Sequence, residues 1–143
     1  MSKRFYIATR KDRVADAAAI SEALKQDGWE RTFAWTSEEP SGHEQYAALA
    51  QKELDGVVGA DLLIVLLPGG YGTHVEIGAA LALGKRVILH APDQKTLDTP
   101  YPCAFHYHPN VTLLVCEQLD VEALLRELQT SFDAKRCSAP LEG

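Results

Sequence analysis

The stretch LLPGGYGTHVE, Leu66 to Glu76, gathers residues able to do chemistry. Gly69, Gly70 and Gly72 permit positive φ and leave backbone N–H groups open to a ligand that a Cβ would hold off. A helix starting here adds partial positive charge, so Thr73 and the glycine amides form a cradle suited to ribose or phosphate. Glu76 supports two roles. With Thr73 as N-cap, the T-x-x-E spacing is that of a capping box and needs no chemistry. A carboxylate in the first turn of a helix is also held ionised by the dipole, and an ionised carboxylate is a nucleophile. The two roles are compatible.

Other groups of reactive residues carry less. Gly70-Tyr71-Gly72 fails as a dinucleotide fingerprint, because Val75 stands where the third glycine belongs. Gly84-Lys85 fails as a P-loop, because Arg86 replaces Ser or Thr. Arg10, Lys11 and Arg13 follow the first apolar run; guanidinium forks there suit a 5′-phosphate, although such charges more often only solvate a loop. Cys103, His106 and His108 match no standard zinc spacing and lack a fourth ligand, so no metal and no cofactor is expected. Tyr101, Phe105 and Tyr107 offer stacking area for a base or a subunit contact. Trp29 and Trp35 fit the core or an interface.

These residues must be positioned by a short chain. Its 143 residues suit one domain, placed at 1–133, with a loose tail from Ala134 to Gly143. The formal charge of -6 and the lack of a Lys/Arg cluster argue against a nucleic-acid polymer as partner, while a small anionic ligand remains compatible. Three cysteines at irregular spacing, with no signal-peptide pattern, imply reduced thiols in the cytoplasm. No apolar run approaches the roughly 20 residues that span a bilayer, so no membrane association is expected.

Short apolar runs alternate with helical patterns, the signature of a parallel sheet covered on both faces. Strands are expected at Phe5–Ala8, near Arg31–Trp35, at ADLLIVLL, at RVILH and at VTLLV. The second has polar residues that suit an edge; the third is apolar throughout and suits the centre. Helices are expected at Val14–Gln26, from Ser41 to Gly59, from Thr73 to Leu83 and after Asp120. In the second, Ser41 and Glu44 have capping-box spacing, and Ala47, Ala50, Leu54, Val57 and Val58 share an apolar face. Gly84 is a natural helix stop. A long loop should span Ala91 to Asn110. In the last helix Val121, Leu124, Leu125 and Leu128 form the buried stripe. Right-handed crossovers then favour a flavodoxin/Rossmann-like α/β three-layer sandwich, with a five-stranded parallel sheet of order 2-1-3-4-5. In such a sheet ligands gather beyond the strand carboxyl ends at the switch point, where the turn after the third strand lies.

The words PGGYGTHVEIGAALALGKRVIL, with FYIATR and ELDGVVGAD upstream in the same order, resemble the nucleoside 2-deoxyribosyltransferase family, including its relatives that hydrolyse nucleoside 5′-monophosphates. The resemblance covers most of the chain. It implies that Glu76 attacks C1′ of a sugar, that Tyr6 helps to position it, that the partner is a nucleotide or nucleoside, and that the protein is a homodimer or a higher homo-oligomer. The chain departs from the family at two positions. Glu53 stands where the transferases carry an active-site aspartate, and Gly70 stands where they carry an acid that handles the base. A helix regular to Val58 puts Glu53 about six residues, or ~9 Å, above its end, which leaves Asp55 as an alternative. Glu53, Asp55, His74 and Tyr71 are candidates to protonate the departing base. P-G-G-x-G-T-x-x-E also fits the lysine-decarboxylase-like phosphoribohydrolases, ranked second because their upstream glycine-rich segment is missing. A domain that binds nucleotides without turnover, with Glu76 only a cap, is the non-enzymatic alternative.

Overall fold

The computed structural model describes residues 3–138. The chain runs β1 (Arg4–Ala8), α1 (Val14–Gln26), β2 (Glu30–Arg31), α2 (Gly42–Gly59), β3 (Leu62–Leu66), α3 (Tyr71–Ala82), β4 (Arg86–Ala91), α4 (Gln94–Leu97), β5 (Val111–Val115) and α5 (Val121–Ser138). The sheet is parallel throughout, in the expected order β2-β1-β3-β4-β5. Tyr6 pairs with Leu63 and Ile7 with Ile64, so β1 and β3 lie side by side at the switch point.

Alternation along the strands divides the core in two. Tyr6, Ala8, Leu63, Val65, Val87 and Leu89 face Val57 of α2 and Ile77 and Ala80 of α3. Phe5, Ile7, Leu62, Ile64 and Ile88 face Ala17, Ile20 and Leu24 of α1 and Leu124 and Leu128 of α5. Every residue of β3 is buried, as its unbroken apolar run requires. Gly84 ends α3 with φ of +72°, a conformation that costs a residue with a Cβ more than it costs glycine.

Three elements differ from expectation. Strand β2 is an edge of only two residues, because the chain then leaves the sheet to seat Trp35, whose indole N–H donates to the Ile7 carbonyl at 2.7 Å. Helix α2 buries Gly56 and Val57, while Leu54 (37% exposed) and Val58 (55%) face outward. The buried face is therefore rotated from the one that spacing predicts. Gly56 sets the true contact: a Cβ there would stand 2.9 Å from Cε2 of the Tyr6 ring, so only glycine lets α2 approach β1 this closely. Ser41 makes no side-chain cap; its N–H donates instead to Gln45 Oε1 at 2.8 Å. Segment 91–110, expected as a loop, contains α4 and a 3-10 turn at Ala104–Tyr107. Asp120 does cap α5, accepting from the Glu122 N–H at 3.0 Å. Helix α5 runs to Ser138, and the rest of the tail expected from Ala134 lies outside the described residues.

Candidate functional site

Helix α3 begins at Tyr71, two residues before the expected Thr73, with Gly70 as the N-cap. Thr73 is thus the third residue of the helix, and its Oγ1 accepts from the Gly70 N–H at 3.1 Å. This overturns the capping-box reading of Glu76: the helix end is closed by Thr73, and Glu76 is the sixth residue, in the second turn. Nor do the turn glycines supply positive φ, which among the described residues is confined to Gly28, Gly42 and Gly84. Gly69 is needed for close approach, since a Cβ there would lie 2.6 Å from Thr73 Cγ2. Gly72 has open space around it.

Thr73, Glu76, Ile77, Ala80 and Leu81 form the buried stripe of α3, at the spacing of a core-facing helix. Glu76 therefore puts a carboxylate where an apolar side chain would ordinarily pack. The Tyr6 hydroxyl, at the switch point, donates to Glu76 Oε2. Glu76 is 5% exposed, and burial pushes its pKa up to about 8; the Tyr6 hydrogen bond opposes that rise, and the charge of Glu53 adds to it. The expectation that the helix dipole holds this group ionised is accordingly corrected. Desolvation is the larger effect, because the carboxylate lies a turn away from the free N–H groups. Burial and the Glu76 charge raise the Tyr6 pKa in turn, so its hydroxyl stays a donor.

Helix α2 is unbroken, and Glu53 acts on this pair through its charge alone. It lies one turn before Gly56, on the face that touches Tyr6, and its charge acts on both Tyr6 and Glu76. Half-burial raises its own pKa. Asp55 does not join them: it is exposed, and its Oδ1 accepts from Gln51 Nε2 at 2.8 Å. A residue absent from the sequence-based site, Arg31, ends β2 near Tyr6 and acts on its hydroxyl electrostatically. Its Nε and Nη2 are buried with no hydrogen-bond partner among the described residues, and burial lowers its pKa. Spacing could not have singled it out, since an arginine at a strand end belongs to no motif.

A cavity of about 780 Å³ lies over the glycine turn, lined by Gly69, Gly70, Tyr71, His74, Val75, Cys103 and Phe105. Glu76 and Tyr6 are not part of that lining. Of the three expected cations, Arg10 has its side chain beside Gly70 and its guanidinium 2.6 Å from Asp12. Lys11 donates to the Glu38 carbonyl at 2.9 Å. Arg13 is spent on the scaffold, bonding Asp16 at 2.9 Å and the Leu67 carbonyl at 2.7 Å.

The trio Cys103, His106 and His108 does not assemble, because His108 Nδ1 accepts from the Asn110 N–H at 3.0 Å. His74 takes its place: His74 Nε2 is 3.0 Å from His106 Nε2, and the ligating atoms of His74, Cys103 and His106 lie within 4.8 Å of one another. Sequence spacing missed this group because His74 and Cys103 are 29 positions apart and meet only through the fold.

The fold is that of a doubly wound parallel α/β domain, with a buried carboxylate–tyrosine pair at its switch point and a glycine turn beside it. More narrowly, the chain belongs to the Nucleoside 2-deoxyribosyltransferase family, which matches residues 5–130. Among solved structures it is similar to the CMP N-glycosidase BcmB of Clostridium botulinum, with 27% identity over 90% of this chain and 99% of that one, and a TM-score of 0.58. It shares the fold of the 2-deoxyribosyltransferase of Bacillus psychrosaccharolyticus, at 19% identity, 85% and 95% coverage and a TM-score of 0.58. The Leishmania mexicana 2-desoxiribosyltransferase gives 17%, 82% and 91%, and 0.56. No curated protein matches. Among the described residues no helix is long and apolar enough to cross a membrane.

Proposed function

We propose that this protein cleaves the N-glycosidic bond of a nucleoside 5′-monophosphate, with Glu76 as the nucleophile and water as the acceptor. The observation that carries this reading is the carboxylate of Glu76 in the buried stripe of α3, bonded to Tyr6. A buried carboxylate costs stability and does nothing for packing, which supports a chemical role for it. As the C1′–N bond lengthens, positive character builds at C1′. A Glu76 oxygen bonds to C1′, and the bonding pair leaves with the base nitrogen, which takes a proton. Water then attacks C1′, gives up a proton and frees the carboxylate and the ribose phosphate. Tyr6 holds the unreacting oxygen. In this reading Glu53 protonates the base, a task left open by Gly70, and its raised pKa supports that part. Arg10 and the helix-start amides of Tyr71 and Gly72 offer donors to phosphate, and the unpartnered Arg31 nitrogens offer donors to a sugar or phosphate oxygen. The likeness to a CMP N-glycosidase supports a nucleotide substrate over a free nucleoside.

One observation favours a second reading, nucleotide binding without turnover: the cavity over the turn does not reach Glu76. Attack therefore requires the carboxylate to be uncovered when ligand enters. Release of free base from a panel of nucleoside monophosphates, compared between the native protein and Glu76→Ala, decides between the two. We expect base release that falls roughly 10³-fold or more in the variant. Binding without release would leave the sensor reading in place. Adding a second nucleobase to the assay separates hydrolysis from exchange, and little exchange is expected.

A further inference from the structure

We propose that His74, His106 and Cys103 form a binding site for a zinc ion that fastens the first turns of α3 to the segment between β4 and β5. The donors are already gathered. The two Nε2 atoms are 3.0 Å apart, and the cysteine sulfur lies within 4.8 Å of a ligating nitrogen of each ring. Around a tetrahedral zinc, with bonds of ~2.0–2.1 Å to nitrogen and ~2.3 Å to sulfur, ligand atoms stand about 3.3–3.6 Å from one another. The imidazoles need to part by a few tenths of an ångström, and a small turn of the cysteine side chain supplies the rest.

The orientation of the rings supports the same site. His74 Nδ1 lies 2.9 Å from the Gly70 carbonyl, which can only accept, so Nδ1 carries the proton and Nε2 turns a lone pair towards His106. A backbone carbonyl fixing the remote nitrogen of a ligating histidine is the usual outer support of a metal site. Cys103 and His106 belong to one 3-10 turn, Cys103 as its N-cap, so the C-x-x-H spacing brings both to the same side. Two imidazoles and a thiolate, with no carboxylate among them, select zinc over magnesium or calcium. His106 is buried, whereas His74 and Cys103 are half-buried and line the cavity over the glycine turn, so a fourth position can be reached from that side and is filled by water.

This site does not depend on glycosidic cleavage, and its test reads the metal itself. Tag-free protein stripped with chelator and titrated with cobalt(II), a spectroscopic substitute for zinc, should take up one equivalent. Tetrahedral d–d bands and a thiolate-to-cobalt charge-transfer band should appear, and zinc should bleach both. Cys103→Ser should abolish the charge-transfer band. His106→Asn should weaken binding by more than roughly tenfold, since loss of even an outer-shell partner costs that much. His108→Asn, outside the group, should change nothing. Circular dichroism confirms that each variant is folded, and the half-buried Cys103 keeps the test decisive if His106→Asn is not. Absence of a charge-transfer band in the native protein, or its persistence in Cys103→Ser, would overturn the proposal.

Discussion

Glu76 and Tyr6 form a pair in which each group sets the state of the other. Because burial holds Glu76 at a pKa of about 8 while catalysis needs the carboxylate, kcat/KM should rise with pH through that value before levelling. Removing the hydroxyl in Tyr6→Phe takes away the hydrogen bond that lowers the pKa of Glu76. A hydrogen bond to a charged group contributes about 1.5–3 kcal/mol, so the variant should lose roughly 10- to 100-fold in kcat. Its pH–rate profile should also move to higher pH by about one unit or more. A profile that stays in place would mean that Tyr6 only packs. Arg31 offers a test of the opposite sign. Its buried, unpartnered nitrogens cost the fold, so Arg31→Met should gain about 1–3 kcal/mol in urea unfolding while kcat/KM falls. A gain in stability with undiminished activity would remove Arg31 from the site.

At the scale of elements, the positions of α3 and α2 decide what the site contains. Thr73 closes the start of α3 by packing on Gly69, so Gly69→Ala forces a methyl into Thr73 and should cost about 1–3 kcal/mol by thermal or chemical unfolding. Gly72, inside the first turn of α3, has no such neighbour. Gly72→Ala meets nothing within 4 Å and should leave stability equal or raised, by up to about 1 kcal/mol. Equal losses from the two would contradict the packing described. These elements also show where the sequence was readable. Helix α1 and strand β5 follow their apolar spacing to the residue, as does the stop at Gly84. Glu76 was ambiguous because a capping box and a core-facing stripe share the same three-residue step; only the true start of the helix separates them. The face of α2 was legible at Val57, which is buried as expected, but not at Leu54 and Val58, because the contact turns on Gly56, which carries no hydropathy signal. The approach of Glu53, Arg31 and His74 to their partners depends on how separate elements cross, which no local pattern encodes.

For the whole molecule, a carboxyl group with a raised pKa ties stability to pH. Glu76 has an ordinary pKa of 4.5 and a folded value of about 8, so between these the folded state binds the extra proton. Stability contributed by the neutral acid is complete below the first value and is lost as pH rises through the second. Glu76→Gln keeps a neutral acceptor for Tyr6 at every pH. Its advantage over the native protein in urea unfolding should therefore grow across that window, to on the order of 4 kcal/mol at alkaline pH. A difference that does not change with pH would show that Glu76 is not desolvated in solution.

The alternation of side chains along β1 and β3 has a wider consequence. Phe5, Ile7, Leu62 and Ile64 serve α1 and α5, while their immediate neighbours in the chain serve the half that holds Tyr6 and Glu76. The sheet acts as a partition: one side holds the Tyr6–Glu76 pair, and the other packs α1 and α5 against its back. Interchange of similar-sized aliphatic residues on the second side is open to an engineer or to evolution, with Tyr6 and Glu76 left in place.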